Sequence, residues 1–219
     1  MMSVSIAAYK TLVFDCDGVI LDSNKVKTQA FYNAAKEYGH DAAQALVDFH
    51  VEHGGVSRFR KFEYFFTDIL KKDYSEVELN SIIANYAKEV RIGLLNCEIA
   101  TGLDNLREAT KNATWLVASG GAQDELREIF KIRELVQFFD GGIYGSPTAK
   151  DIIVEQQLAN GSIQFPALFL GDSRFDHVVA NQFGLDFVFI TQWSEFSALN
   201  EYAYSNGLTK KLSLNALLD

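Results

Sequence analysis

Residues 11 to 23 read TLVFDCDGVILDS: an apolar stretch without polar alternation runs straight into two carboxylates, Asp15 and Asp17. A strand that lacks alternation is buried on both faces, which confines it to the interior of a sheet covered on each side, as in parallel α/β proteins. Asp15 and Asp17 stand two positions apart, so on an extended chain they point the same way. Their mutual repulsion has to be offset, and a bound cation is the direct means.

Four more short apolar segments follow: TWLVAS (114 to 119), GGIYG (141 to 145), ALFLGD (167 to 172) and DFVFI (186 to 190). Between the later ones lie helical patterns at 122 to 138, 149 to 160 and 175 to 183, the βαβ rhythm of a doubly wound, Rossmann-like parallel sheet. The stretch from Ser23 to about Asn96 has no strand candidate. It reads as helices broken at Gly39, at Gly54 and Gly55, and around Asp73 to Ser75. The expected fold class is therefore α/β, with a core domain over residues 1 to 21 and 98 to 219. A helical domain over 22 to 97 is inserted after the first strand.

Composition narrows the function. A chain of 219 residues that is 48% hydrophobic can bury a sizeable core and a smaller companion. With 20 Lys and Arg against 29 Asp and Glu, the net charge of −9 argues against nucleic acid as a partner. Two cysteines, Cys16 and Cys97, make a disulfide framework improbable and fit a reducing compartment. Cys16 falls on the opposite side of the strand from the two acids, as a core residue would. The N-terminal MMSVSIAAYK is too short and too weakly apolar for a secretory signal, and no run reaches membrane-spanning length. The expectation is a soluble cytoplasmic protein.

Parallel sheets place ligand sites at the carboxyl ends of their strands. Asp15 and Asp17 follow the first strand, and Ser119 with Gly120 and Gly121 the second. Lys150 follows YGSPTA, and GDSRFD supplies Asp172 and Asp176. Carboxylates, one hydroxyl, one lysine and glycine-freed amides suit a Mg²⁺ ion with a phosphate beside it. Ser119 and Asp104 also suit caps of the helices that follow, and Asp104 is given no function. His40, His50, His53 and His177 show no spacing for a zinc site.

This set, in this order, resembles the haloacid dehalogenase superfamily of Mg²⁺-dependent phosphotransferases. DCDGV is similar to its first motif, Ser119 to its second, Lys150 to its third, and Gly171, Asp172 and Asp176 to its fourth. The helical insertion is similar in position to the cap of the subgroup that includes phosphoglycolate phosphatase and β-phosphoglucomutase. The resemblance implies a phosphatase acting on a small phosphorylated metabolite, a sugar phosphate or a phosphorylated acid. Asp15 would be the nucleophile that forms an aspartyl phosphate, and Asp17 the acid and base. Asp15, the Asp17 backbone carbonyl, Asp172 and, in support, Asp176 would hold Mg²⁺. Ser119, the Gly120 amide and Lys150 would bind the phosphoryl oxygens.

The segment HGGVSRFRKFEYFF (53 to 66) resembles the loop between the first two cap helices that selects substrate, with Arg58 the candidate contact and Lys25 and Lys27 on the first cap helix as others. A second aspartate argues against dehalogenation, and arginine in the cap loop argues against a Schiff-base phosphonatase. A phosphosugar mutase stays open, although Lys27 stands near the place of a histidine in β-phosphoglucomutase. A receiver-like protein is the wrong length and order, and a non-catalytic phosphate-binding relative would not need every catalytic position filled.

Overall fold

The computed structural model of the chain describes residues 5–218; the first four residues of the N-terminal stretch and Asp219 lie outside that range. Six strands form one sheet: β1 (Thr11–Phe14), β2 (Thr114–Ala122), β3 (Gly142–Ser146), β4 (Ala167–Gly171), β5 (Asp186–Ile190) and β6 (Thr209–Lys211). Their order is β3-β2-β1-β4-β5-β6, and every pairing is parallel. The order reverses between β1 and β4, which opens a crevice at the carboxyl ends of those two strands.

Along β1, Leu12 and Phe14 face one apolar layer while Val13 faces the other. The first layer is completed by α5 (Leu103–Ala109) and α6 (Gln123–Ile132), which contribute Leu103, Leu106, Leu126, Ile129 and Phe130. The second is completed by Ile153 and Val154 of α7 (Lys150–Ala159) and by Val179 and Ala180 of α8 (Arg174–Gln182). Both faces of β1 and β4 are therefore dry, which is why neither segment alternates.

The expected helix over 122 to 138 ends early. α6 stops at Ile132, and Glu134, with φ of 57°, takes the left-handed conformation that terminates a helix before a 3₁₀ turn at Val136–Phe138. Strand β6 and helix α9 (Leu199–Ser205) were not legible in the sequence. β6 is three residues, Thr-Lys-Lys, at a sheet edge, where lysines discourage further pairing and no apolar pattern is needed.

Between β1 and β2 the chain forms α1 (Asn24–Ala35), α2 (His40–Glu52), α3 (Arg58–Tyr64), a π-helical turn at Phe65–Ile69, and α4 (Glu76–Asn96). Gly39, at φ 113°, breaks α1 from α2 where a side chain would be strained. Ser75 and Glu78 form a reciprocal capping box that starts α4. Phe31, Phe62, Phe65, Phe66 and Tyr86 fill the interior of these helices, with the Phe31 and Tyr86 rings 4.3 Å apart. This interior is continuous with the layer under β1, so insertion and sheet share one apolar cluster.

Gly93 of α4 crosses α1 at Val26, and a Cβ there would overlap the Val26 methyl groups. In an open helix, replacing Gly by Ala gains about 1 kcal/mol. Here the crowding, about 1–3 kcal/mol, wins. Gly93→Ala is expected to lower the urea midpoint; a raised midpoint would show that α1 and α4 separate freely.

Candidate active site

Asp15 directly follows β1 and Asp172 directly follows β4, and the two strands pair Phe14 with Leu170, so the acids meet at the mouth of the crevice. The Asp15 amide donates to the Leu170 carbonyl at 2.9 Å, which carries the pairing to the last ordered position. Asp176 lies in the first turn of α8, where its Oδ2 accepts from the Asp172 amide (3.2 Å), the Ser173 amide (3.0 Å) and Ser173 Oγ (2.7 Å). A Cβ at Gly171 would collide with Asp176, so only glycine lets α8 start this close to β4. One carboxylate oxygen from each of Asp15, Asp172 and Asp176 lies within 4.8 Å of the others, and all three residues are buried.

Lys150, the first residue of α7, enters this cluster from the other side. Its Nζ is 3.1 Å from Asp15 Oδ1 and also bonds Asp176 Oδ1, and the side chain is buried. Burial raises the Asp15 carboxyl to about 7, with Lys150 pulling it down and the charges of Asp176 and Asp17 pushing it up. Burial, then the charges of Asp15 and Asp176, hold Asp172 well above the usual carboxylate range. Burial disfavours the Lys150 charge, yet Asp15 and Asp176 together keep it firmly protonated. Three carboxylates thus face a single ammonium. A divalent cation would bring the group to neutrality, and an all-oxygen donor set of this kind suits a hard ion. The residues fit the metal that the fold family implies.

Asp17 is turned toward the helical insertion. The chain bends at Gly18, φ 76°, where a side chain would collide with Asp172. The Asp17 carboxylate accepts from Ser23 Oγ and from Lys27 Nζ, each at 2.5 Å. Burial works against its charge, but the Lys27 ammonium and these two hydrogen bonds prevail and lower its pKa. The two acids of the opening motif therefore sit in opposite surroundings.

Ser119 is fully buried within β2, which runs on to Ala122. Its Oγ accepts from the Gly121 amide at 3.0 Å. Ala122, not Ser119, is the N-cap of α6, so the capping role suggested for Ser119 does not hold. The same applies to Asp104, since Gly102 stands at the N-cap of α5. Gly120 approaches the backbone of Gly55 so closely that a Cβ would overlap the Gly55 carbonyl. The glycine loop at 54 and 55 therefore lies on the strand ends and packs against Ser173. It joins α2 and α3, not the first two helices of the insertion, because the break at Gly39 makes an additional helix.

On the insertion side, Lys27, Phe31, His50, Arg58, Lys61 and Tyr86 line the pocket over Asp15 and Asp17. Lys25 is exposed and plays no part in it. The Arg58 guanidinium forks onto the Glu125 carboxylate of α6, at 2.6 and 3.1 Å, and lies 4.7 Å over the Tyr86 ring. Lys61 is buried, with Nζ 2.6 Å from His50 Nδ1 and 5.6 Å from the centre of the Phe31 ring. Asn24 donates to Asp172 Oδ2 at 2.7 Å. Lys61, His50, Asn24 and Glu125 escaped the sequence reading. Spacing could have suggested two of them: Asn24 precedes Lys27 and Arg58 precedes Lys61 by three residues on a helix, the separation that shares a face. Cys16 is buried in the core, as strand alternation required.

Residues 9–184 match the model of the haloacid dehalogenase-like hydrolase family, and the chain belongs to that family. No curated protein matches it in sequence. Among solved structures it is similar to a protein described as a predicted phosphatase from Clostridium acetobutylicum (18% identity, 96% of each chain, TM-score 0.73). It is also similar to one described as a "putative beta-phosphoglucomutase" from Bacteroides vulgatus (16% identity, 97% of this chain and 87% of that one, TM-score 0.71). A third is CbbY from Rhodobacter sphaeroides in complex with phosphate (16% identity, 95% and 96%, TM-score 0.67). At these identities the likeness shows the fold. No helix among the described residues is long and apolar enough to cross a membrane.

Burial, with the Lys27 charge beside it, lowers the Lys61 pKa to about 7. An unfolded lysine binds its proton up to about pH 10.4, so above pH 7 the unfolded state holds more protons and stability rises with pH. The cost of burying this ammonium is complete below pH 7 and is relieved as pH climbs. Between pH 7 and 9, Lys61 should contribute a gain of at most about 1.4 kcal/mol per pH unit. Urea melts of the wild type and Lys61→Met should differ in slope over this window by that contribution. Parallel pH profiles would show that Lys61 keeps an ordinary pKa.

Proposed function

We propose that the chain is a Mg²⁺-dependent phosphatase that hydrolyses a small phosphorylated metabolite through an aspartyl phosphate on Asp15. The observation that carries this reading is the buried meeting of Asp15, Asp172 and Asp176 with Lys150 at the switch point of the sheet. When bound by Asp15, Asp172, the Asp17 backbone carbonyl and, in support, Asp176, Mg²⁺ would supply positive charge that lets an anionic carboxylate approach an anionic phosphate. The Asp15 carboxylate attacks phosphorus, and the bond to the leaving oxygen breaks as that oxygen takes a proton from Asp17. Asp17, now a carboxylate, takes a proton from water. The hydroxyl attacks the aspartyl phosphate, releasing inorganic phosphate and restoring Asp15.

The pairing of Asp17 with Lys27 and Ser23 corresponds to the ionised half of this cycle, the form that accepts a proton. For the first half the contact with Lys27 has to loosen. Ser119, the Gly120 amide and Lys150 bind the phosphoryl oxygens and balance the charge that shifts among them. The helices over 22 to 97 act as a cap, with Gly54 and Gly55 closing over the strand ends and excluding water. Arg58 stays on Glu125 and holds the cap against α6, so the leaving-group contact expected of it falls to another cation of the pocket.

Asp15→Asn keeps the shape of the side chain but removes the nucleophile and a metal ligand. It is expected to reduce turnover of p-nitrophenyl phosphate by at least about 10³-fold with an unchanged circular dichroism spectrum. Substantial residual activity would sink the assignment of Asp15. Chelation with EDTA should abolish turnover, and added Mg²⁺ should restore it. Activity that persists without metal would remove the cation from the reaction. Release of inorganic phosphate from a sugar phosphate, with no isomer formed, separates a phosphatase from a mutase.

A further inference from the structure

The buried cations that line the pocket are not equally engaged. Lys27 is taken by Asp17, and the Arg58 fork is filled by Glu125. Lys61 pairs with no carboxylate among the described residues, although it is buried and lines the same pocket. An ammonium has three N–H donors. Two of them go to His50, one to the ring Nδ1 at 2.6 Å and one to the backbone carbonyl at 3.3 Å. His50 is itself buried beside Lys61 and Lys27, which holds its ring neutral and leaves Nδ1 as an acceptor. The third donor of Lys61 has no hydrogen-bond partner among the described residues, and the centre of the Phe31 ring lies 5.6 Å from Nζ. A buried ammonium with a spare donor and no counter-ion is costly, so burial loosens its proton, and an arriving anion would take the donor and hold the proton on.

We propose that Lys61 is a specificity-determining residue that binds a carboxylate on the leaving group of the substrate. The inference rests on the phosphatase reading above and narrows its substrate class to small phosphorylated acids. A carboxylate fits better than a second phosphate on three grounds. Lys61 offers one free donor and a single charge, whereas a phosphate dianion asks for several donors. The side chain suited to a phosphate, the Arg58 guanidinium, is already engaged by Glu125. The free space between insertion and core is about 50 Å³. That is room for roughly three to five waters, so a three-atom carboxylate asks for less of it than a five-atom phosphate.

The test compares kcat/KM for matched esters in the presence of Mg²⁺. Carboxymethyl and 2-carboxyethyl phosphate are set against 2-hydroxyethyl and 3-hydroxypropyl phosphate, with ethane-1,2-diyl bisphosphate and p-nitrophenyl phosphate alongside. The wild type should prefer an acid over its neutral counterpart by roughly tenfold or more, and Lys61→Met should bring that ratio to about one, chiefly through KM. Lys61→Arg should recover part of the preference. Three results overturn the inference: a wild type without the preference, a Lys61→Met variant that loses activity on both esters alike and keeps the ratio, or a preference for the bisphosphate. If Lys61→Met does not fold, Lys61→Gln takes its place. A wild type that hydrolyses none of these esters, p-nitrophenyl phosphate included, defeats the phosphatase reading itself; hydrolysis without discrimination defeats only the role of Lys61.

Discussion

Three buried carboxylates gathered together, two of them paired with one lysine, form the interaction on which the rest of this molecule depends. Like charges at this spacing repel strongly in a medium of low polarity, so the arrangement persists only because the scaffold forces it. Parallel pairing of β1 with β4 carries Asp15 and Asp172 to the same crevice, and the capping box at Ser173 fixes Asp176. Lys150 arrives at the head of α7, where the chain turns back from β3. Each side chain has its place from a different element, and a shift in any one of them would separate the group.

The helical insertion answers this acidic floor with a basic roof. Lys27, Arg58 and Lys61 all project toward the acids, and two of the three are held by carboxylates at a distance in sequence. Arg58 to Glu125 and Arg91 to Glu128 are both ion pairs from the insertion to α6, a helix of the sheet layer. The Arg91 pair is half-exposed and contributes little. The Arg58 pair is bidentate and buried, so it positions the insertion, and breaking it would strand a charge. The shared apolar cluster beneath joins insertion and sheet, and the buried pair ties Arg58 of α3 to Glu125 of α6.

Much of the fold was legible because its signals are local. Unbroken apolar runs marked five of the six strands, and glycine or cap residues marked the breaks between the insertion's helices. The strand that escaped, Thr209–Lys211, has too few residues and too little burial to leave a pattern. The shortened α6 escaped because a left-handed residue at Glu134 is not announced by its side chain. The family assignment followed from the same local signals, since residues at strand ends keep their order whatever is inserted between them.

The sequence by itself determined the doubly wound sheet, the position of the insertion and the set of polar groups at the strand ends, because burial on both faces and the chemistry of turns act over a few residues. Only the tertiary structure decided how those groups are charged and what faces them. Asp15 and Asp17, two positions apart, have opposite electrostatic surroundings because one looks at other acids and the other at Lys27. Arg58 meets Glu125 across 67 positions, and Lys61 meets His50 from a neighbouring helix. No local pattern encodes such pairs. They arise when the insertion packs against the sheet, and the energy of a charge depends on what that packing excludes and brings near.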